Sequence, residues 1–196
     1  MNRLSWLRTS EPFLNAIVEH QSTRWVLFKS GSLLLSTPEG KNKGSVARLS
    51  TPEVRPLLGA KPYFAQTQKE GEIADPTLVV LEAARLRGPG VIFLGLHEHD
   101  STTSEALPSS DFGKKDAATV AASIKGEPYF SLDLTSLPEQ EVAEVIKNAE
   151  ASRAGQKLAF IDTRAAMSSM DDFTGGIAAE ARAMVEWNAR NKVRAH

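Results

Sequence analysis

The chain has 196 residues, 41% of them apolar, with 23 basic and 24 acidic side chains and a formal charge of −1. That length allows one large domain or two small ones, the apolar share excludes wholesale disorder, and the charge balance gives no electrostatic case for nucleic acid or an anionic membrane. Cysteine is absent, which excludes disulfides, thiolate metal sites and cysteine nucleophiles; no apolar run approaches the roughly 20 residues that cross a bilayer.

The N-terminus, MNRLSWLRTSEPF, is too short and too polar for a secretory leader, so an intracellular, cytoplasmic protein is the expectation. From Ser10 to His20 the apolar residues Phe13, Leu14, Ile17 and Val18 share one helical face. Trp25-Val26-Leu27-Phe28 and Leu33-Leu34-Leu35 flank a Ser/Gly stretch and predict a hairpin. GKNKG, Gly40 to Gly44, reads as a polar turn, and Val46 to Leu49 as a third strand. Ser50-Thr51-Pro52-Glu53 has capping-box spacing and opens a short helix ending near Leu58-Gly59. A further helix is expected from Asp75-Pro76 to Arg87, stopped by Gly88-Pro89-Gly90. Val91-Ile92-Phe93-Leu94-Gly95-Leu96 is the most apolar stretch and reads as a central strand buried on both faces. Residues 100 to 116 read as a long polar loop, Ala117 to Ile124 as one or two helical turns, and Pro128 to Leu134 as a strand. Ser136 to Glu139 repeats the capping-box spacing before a helix with Val142, Val145, Ile146 and Ala149 on one face. Leu158 to Ile161 is a short strand, and Ile177, Ala181, Met184 and Val185 recur at helical spacing toward the C-terminus. Glu186 and Arg190 lie four apart in the favourable order on the polar side of that helix, and Trp187 borders its apolar stripe. Hairpins and helices mix without strict alternation, there is no repeat and no linker, and the expected fold is α+β: a single compact domain with a mixed or antiparallel sheet and flanking helices.

Few residues suggest chemistry. His97-Glu98-His99-Asp100 follows a strand, and in extended backbone His97 and His99 point to one side, as two zinc ligands would. H-x-H with no third ligand at a defined spacing is a weak signal, and a polar loop beginning where a strand ends accounts for it. Asp111-Phe112-Gly113 matches the kinase magnesium tripeptide, but the glycine-rich loop, strand lysine and H-R-D loop are missing. Asp133, Asp162 and Asp171-Asp172 stand at strand or helix ends, where turn and capping roles are expected. Trp6, Trp25 and Trp187 read as core or interface residues, since no basic stripe accompanies them. No catalytic, cofactor-binding or metal-ligating residue is assigned.

VIFLGL (Val91 to Leu96), PYFSLDL (Pro128 to Leu134) and AAEARAMVEWNARNK (Ala178 to Lys192), together with SWLRTSEPFLNA (Ser5 to Ala16), resemble in order and spacing the N-terminal, Nudix-like domain of NADH pyrophosphatases of the Nudix superfamily, most closely the fungal ones. The resemblance implies residues 1–22 as an N-terminal helical extension, 23–192 as the family's N-terminal domain and 193–196 as a tail outside the family pattern. The intact family enzyme, as the resemblance has it, splits NAD(H) into NMN(H) and AMP with magnesium or manganese and carries a four-cysteine zinc ribbon after W-N-x-R-N. This chain has no cysteine for a ribbon and no Glu-Glu or Arg-Glu dipeptide for a Nudix box, so none of the family's catalytic residues has a position to map onto. Lys192-Val193-Arg194 also fits the translation of an unspliced intron's donor site, so a truncated transcript is expected, against the alternative of a deliberate cut. The terminal Arg-Ala-His is not a peroxisomal address of the S-K-L type. Three functions stand open at this point: a non-catalytic scaffold or dimerisation domain, with a homodimer as candidate partner; an enzyme with a site at His97 and His99; and a nucleotide- or partner-binding module without chemistry. NADH and NAD are expected as ligands of the intact enzyme alone, no cofactor is expected in this chain, and neither nucleic acid nor membrane is an expected partner.

Overall fold

A computed structural model describes residue 7 and residues 10–58, 89–98, 116–167 and 170–190. Helix α1 (Glu11–Val18) has Pro12 in its first turn, where a missing N–H costs nothing. It buries Phe13, Leu14, Ile17 and Val18, the predicted face. Strands β1 (Arg24–Lys29) and β2 (Ser32–Pro38) form the expected hairpin. Its two turn residues, Ser30 and Gly31, both have positive φ, 50° and 79°, as a two-residue turn matching strand twist demands. The Thr135 hydroxyl accepts the Ser30 N–H at 2.9 Å, which steadies the strained serine. The third strand, β3, is brief (Ser45–Val46), and Leu49 continues the predicted segment as a bridge to Trp25.

Helix α2 (Thr51–Leu58) starts at the predicted cap, where the Glu53 carboxylate accepts both the Ser50 N–H and its hydroxyl, each at 2.7 Å. The remaining elements are β4 (Gly90–His97), α3 (Ala117–Ala122), β5 (Glu127–Asp133), α4 (Glu139–Ala151), β6 (Gln156–Asp162), α5 (Thr163–Met167) and α6 (Asp172–Arg190). The second capping box does not form. Helix α4 begins at Glu139 with Pro138 as its cap residue and no side-chain cap bond, because proline's fixed φ already sets the entry. The helix expected from Asp75 to Arg87 lies outside the described residues, as does the loop expected at 100–116 except for Asp116, which caps α3.

Six strands of the described residues make one mixed sheet, in the order β3-β2-β1-β5-β4, with β6 antiparallel to β2 along residues 156–162. Every pairing is antiparallel except β1 with β5, which runs parallel from Arg24 opposite Tyr129 to Phe28 opposite Asp133. Strand β4 is not central: among the described residues it pairs with β5 alone, at the end of the order. Its C-terminal half is nevertheless buried on both faces, Phe93 and Leu96 against one core and Leu94 against the other. Helices cover the sheet on both sides, so an apolar run marks a covered strand without marking a central one.

On one face α1, α2, α3 and α4 pack on Trp25, Leu27, Leu34, Phe130 and Leu132; on the other, α6 brings Ile177, Ala178 and Ala181 onto Val26, Phe28, Leu33 and Tyr129. Trp25 is fully buried, stacked on Phe130 with ring centroids 4.9 Å apart. Its indole N–H donates to the Thr51 hydroxyl at 2.9 Å, and that hydroxyl donates to the Val18 carbonyl at 2.6 Å, tying α1, β1 and α2 together. The arrangement is the expected single α+β domain.

Candidate functional site

Residues of β2, of β3 and the segment after it, of the turn after α4 and the start of β6, and of the start of α6 meet in an open groove of about 360 Å³. Arg153, just past α4, donates from Nε and Nη2 to the two Glu53 oxygens at 2.8 and 2.9 Å. Its Nη2 also donates to the Arg48 carbonyl at 3.0 Å. Burial would raise the Glu53 pKa; the bonds from Arg153 and Ser50 more than reverse this and hold it at about 2. Arg48 lies between elements: Nη2 donates to the Thr174 hydroxyl at 3.0 Å, and the guanidinium carbon sits 5.9 and 5.5 Å from the ring centres of Tyr129 and Phe173. Burial pushes the Tyr129 phenol up to about 12 against the opposing charge of Arg48, and its hydroxyl donates to Glu127 at 3.1 Å.

His97 ends β4 with its ring on Phe173, centroids 4.0 Å apart, and edge-on to Tyr129 at 6.4 Å. It is an aromatic neighbour of α6. His99 and Asp100, the other members of the predicted cluster, lie outside the described residues, as do Asp111-Phe112-Gly113 and Trp6. The aspartates have the expected local roles. Asp133 Oδ1 accepts the Thr135 N–H and hydroxyl at 3.1 and 2.5 Å. Asp162 Oδ1 accepts the N–H groups of Arg164 and Ala165 at 3.0 and 3.1 Å, capping α5. Asp171 caps α6 through the Thr174 N–H and hydroxyl at 2.9 and 2.7 Å, and these bonds lower its pKa. GKNKG is a turn, with Gly40 at φ 75°.

The donors for a divalent-cation cluster do not converge: among the described residues no three His, Asp or Glu side chains group at metal-binding range. A four-thiolate zinc site has no ligands in this sequence. No described helix is long and apolar enough to cross a membrane.

The C-terminal helix is longer than the stripe predicted, starting at Asp172. Ile177 and Ala181 are buried, Met184 and Val185 half-buried, and Trp187 is 60% exposed. Glu186 accepts from Arg182 Nε at 2.7 Å and more loosely from Arg190 at 3.5 Å; the first of these bonds is the main cause of its lowered pKa. Sequence reasoning missed the groove. Glu53 was legible as a cap, but Arg153 lies 100 residues away and Arg48 sits in an unremarkable segment, so no local spacing joins them.

The family model described as NUDIX-like, NADH pyrophosphatase-like rudimentary NUDIX domain, matches residues 22–187. The comparison with curated proteins gives no match.

Proposed function

The chain belongs to the NADH pyrophosphatase-like rudimentary NUDIX domain family, and from that premise we propose that it is a non-catalytic scaffold and self-association domain. The carrying observation is where its acids go. Asp133, Asp162 and Asp171 accept backbone N–H groups, and Glu53 holds Arg153. Metal-assisted pyrophosphate cleavage needs carboxylates converging on cations instead. The half-exposed Met184 and Val185 and the protruding Trp187 on α6 supply apolar surface for assembly. The fungal type of the resemblance and a cytoplasmic location belong to the same reading; fractionation of cells carrying a tagged chain checks the location.

The test incubates purified protein with NADH and magnesium or manganese and looks for AMP. No AMP is expected; metal-dependent release abolished by a substitution within this chain would overturn the reading. Sedimentation then measures assembly: a concentration-dependent dimer lost in Trp187→Ala is expected, and a strict monomer removes the self-association part. A second reading, a nucleotide-binding module without chemistry, is favoured by the arginine-lined groove and is separated by calorimetry with NADH, NAD and AMP.

A further inference from the structure

The groove beside β2 holds two guanidiniums whose donors are only partly used. Arg153 spends Nε and Nη2 on Glu53 and the Arg48 carbonyl, and Arg48 spends Nη2 on Thr174. Among the described residues Nη1 of Arg153 and both Nε and Nη1 of Arg48 have no acceptor, although neither side chain stands free in solvent. Gln156 lines the same groove, and its amide oxygen takes the Ser36 hydroxyl at 2.6 Å, which leaves the amide NH2 as a donor. Both arginines are held before any ligand arrives, Arg153 by a two-pronged ion pair and Arg48 by Thr174 and two rings. A fixed guanidinium fork loses little freedom on binding and matches an oxyanion with two parallel bonds.

We propose that this groove binds a small soluble phosphate monoester, gripped by Arg48 with Arg153 and Gln156 as further donors. The donors come from three separate positions in the chain, and a tetrahedral phosphate offers three oxygens in three directions where a planar carboxylate offers two. The groove of about 360 Å³ exceeds a bare carboxylate and lies in the range of small-molecule sites. Asp171, also on the groove, is the opposing charge; Glu53 lies behind Arg153 and outside the lining. The site is separate from the Trp187 surface and does not depend on the assembly role.

The test is titration of the full chain with inorganic phosphate and with glycerol 3-phosphate at constant ionic strength, followed by amide and arginine side-chain NMR. Saturable shifts are expected at Arg48, Arg153, Gln156 and Thr174. Arg48→Met, which keeps the apolar stem, should weaken binding about tenfold or more. Arg48→Lys should also weaken it, because charge without the fork is insufficient, and it serves if the methionine variant does not fold. Asp171→Asn keeps a competent cap and should tighten binding by removing the opposing charge, an effect a merely structural Arg48 would not produce. The proposal is overturned by shifts that chloride reproduces, by shifts elsewhere in the molecule, by an affinity unmoved in both Arg48 variants, or by no saturation at roughly ten millimolar ligand. Binding to phosphatidic acid vesicles without binding to glycerol 3-phosphate also overturns it, since the ligand would then be a lipid surface.

Discussion

Glu53 is a residue through which stability depends on pH. Its pKa is lowered from 4.5 to about 2 by partners that bind only the ionised form. A carboxylate depressed on folding stabilises above its unfolded pKa and loses that contribution as pH falls through the folded one. The stability supplied by Glu53 is therefore complete above about pH 5, declines between pH 4.5 and 2, and amounts to roughly 3 kcal/mol at neutral pH. Glu53→Gln leaves Arg153 partly buried without its counter-charge and should destabilise by about 3 kcal/mol at pH 7. Urea melts at a series of pH values check this: the gap between wild type and variant should close as the pH approaches 2. A second contrast concerns two tryptophans. Trp25→Ala empties a fully buried stacked site and should cost roughly 3–5 kcal/mol, whereas Trp187→Ala at an exposed position should cost under about 1 kcal/mol. Equal melting shifts for the two would contradict the packing described.

At the element scale, the β4–β5 pair depends on a close backbone approach. Gly126, at φ 127°, precedes β5, and a Cβ there would come within 2.4 Å of the His97 carbonyl oxygen. Both partners are backbone, so neither can move aside cheaply. Gly126→Ala should destabilise by more than about 2 kcal/mol, through strain at positive φ and displacement of His97. Thermal melts would reveal it, with Gly176→Ala on α6, where nothing lies within 4 Å, as the mild control. The elements also show what the sequence made legible. Period and turn chemistry located α1, the β1–β2 hairpin, β5, α4 and α6, because those signals are local. The aspartate caps were legible for the same reason: an Asx bond spans two or three residues. The end position of β4 was not, since helices on both faces give any strand an apolar run. The Glu53–Arg153 pair and the Arg48 bridge between β3 and α6 are products of the fold and leave no periodic mark. The four-residue spacing of Glu186 and Arg190 was visible, yet the closer partner is Arg182, one turn earlier.

For the molecule as a whole, the parallel pairing of β1 with β5 is the step expected to limit folding. It joins segments roughly a hundred residues apart, and no sequence of local hairpins can build it. Refolding is expected in milliseconds to seconds, not microseconds, and Trp25, stacked on Phe130 across this seam, is its reporter. Stopped-flow fluorescence with Trp6 and Trp187 replaced by Phe measures it; a microsecond phase completing the signal would refute the seam's role. On the ribosome the same geometry becomes a waiting time. Once Trp25-Val26-Leu27-Phe28 has been synthesised, its partner strand follows only after about 5–20 s at roughly 5–20 residues per second. Throughout that interval the edge of β1 that β5 will cover presents unpaired backbone N–H and C=O groups to any neighbouring chain. Cover of this N-terminal segment by a chaperone during synthesis is therefore expected to raise the yield of folded protein, and a slower-translated message without it to lower that yield.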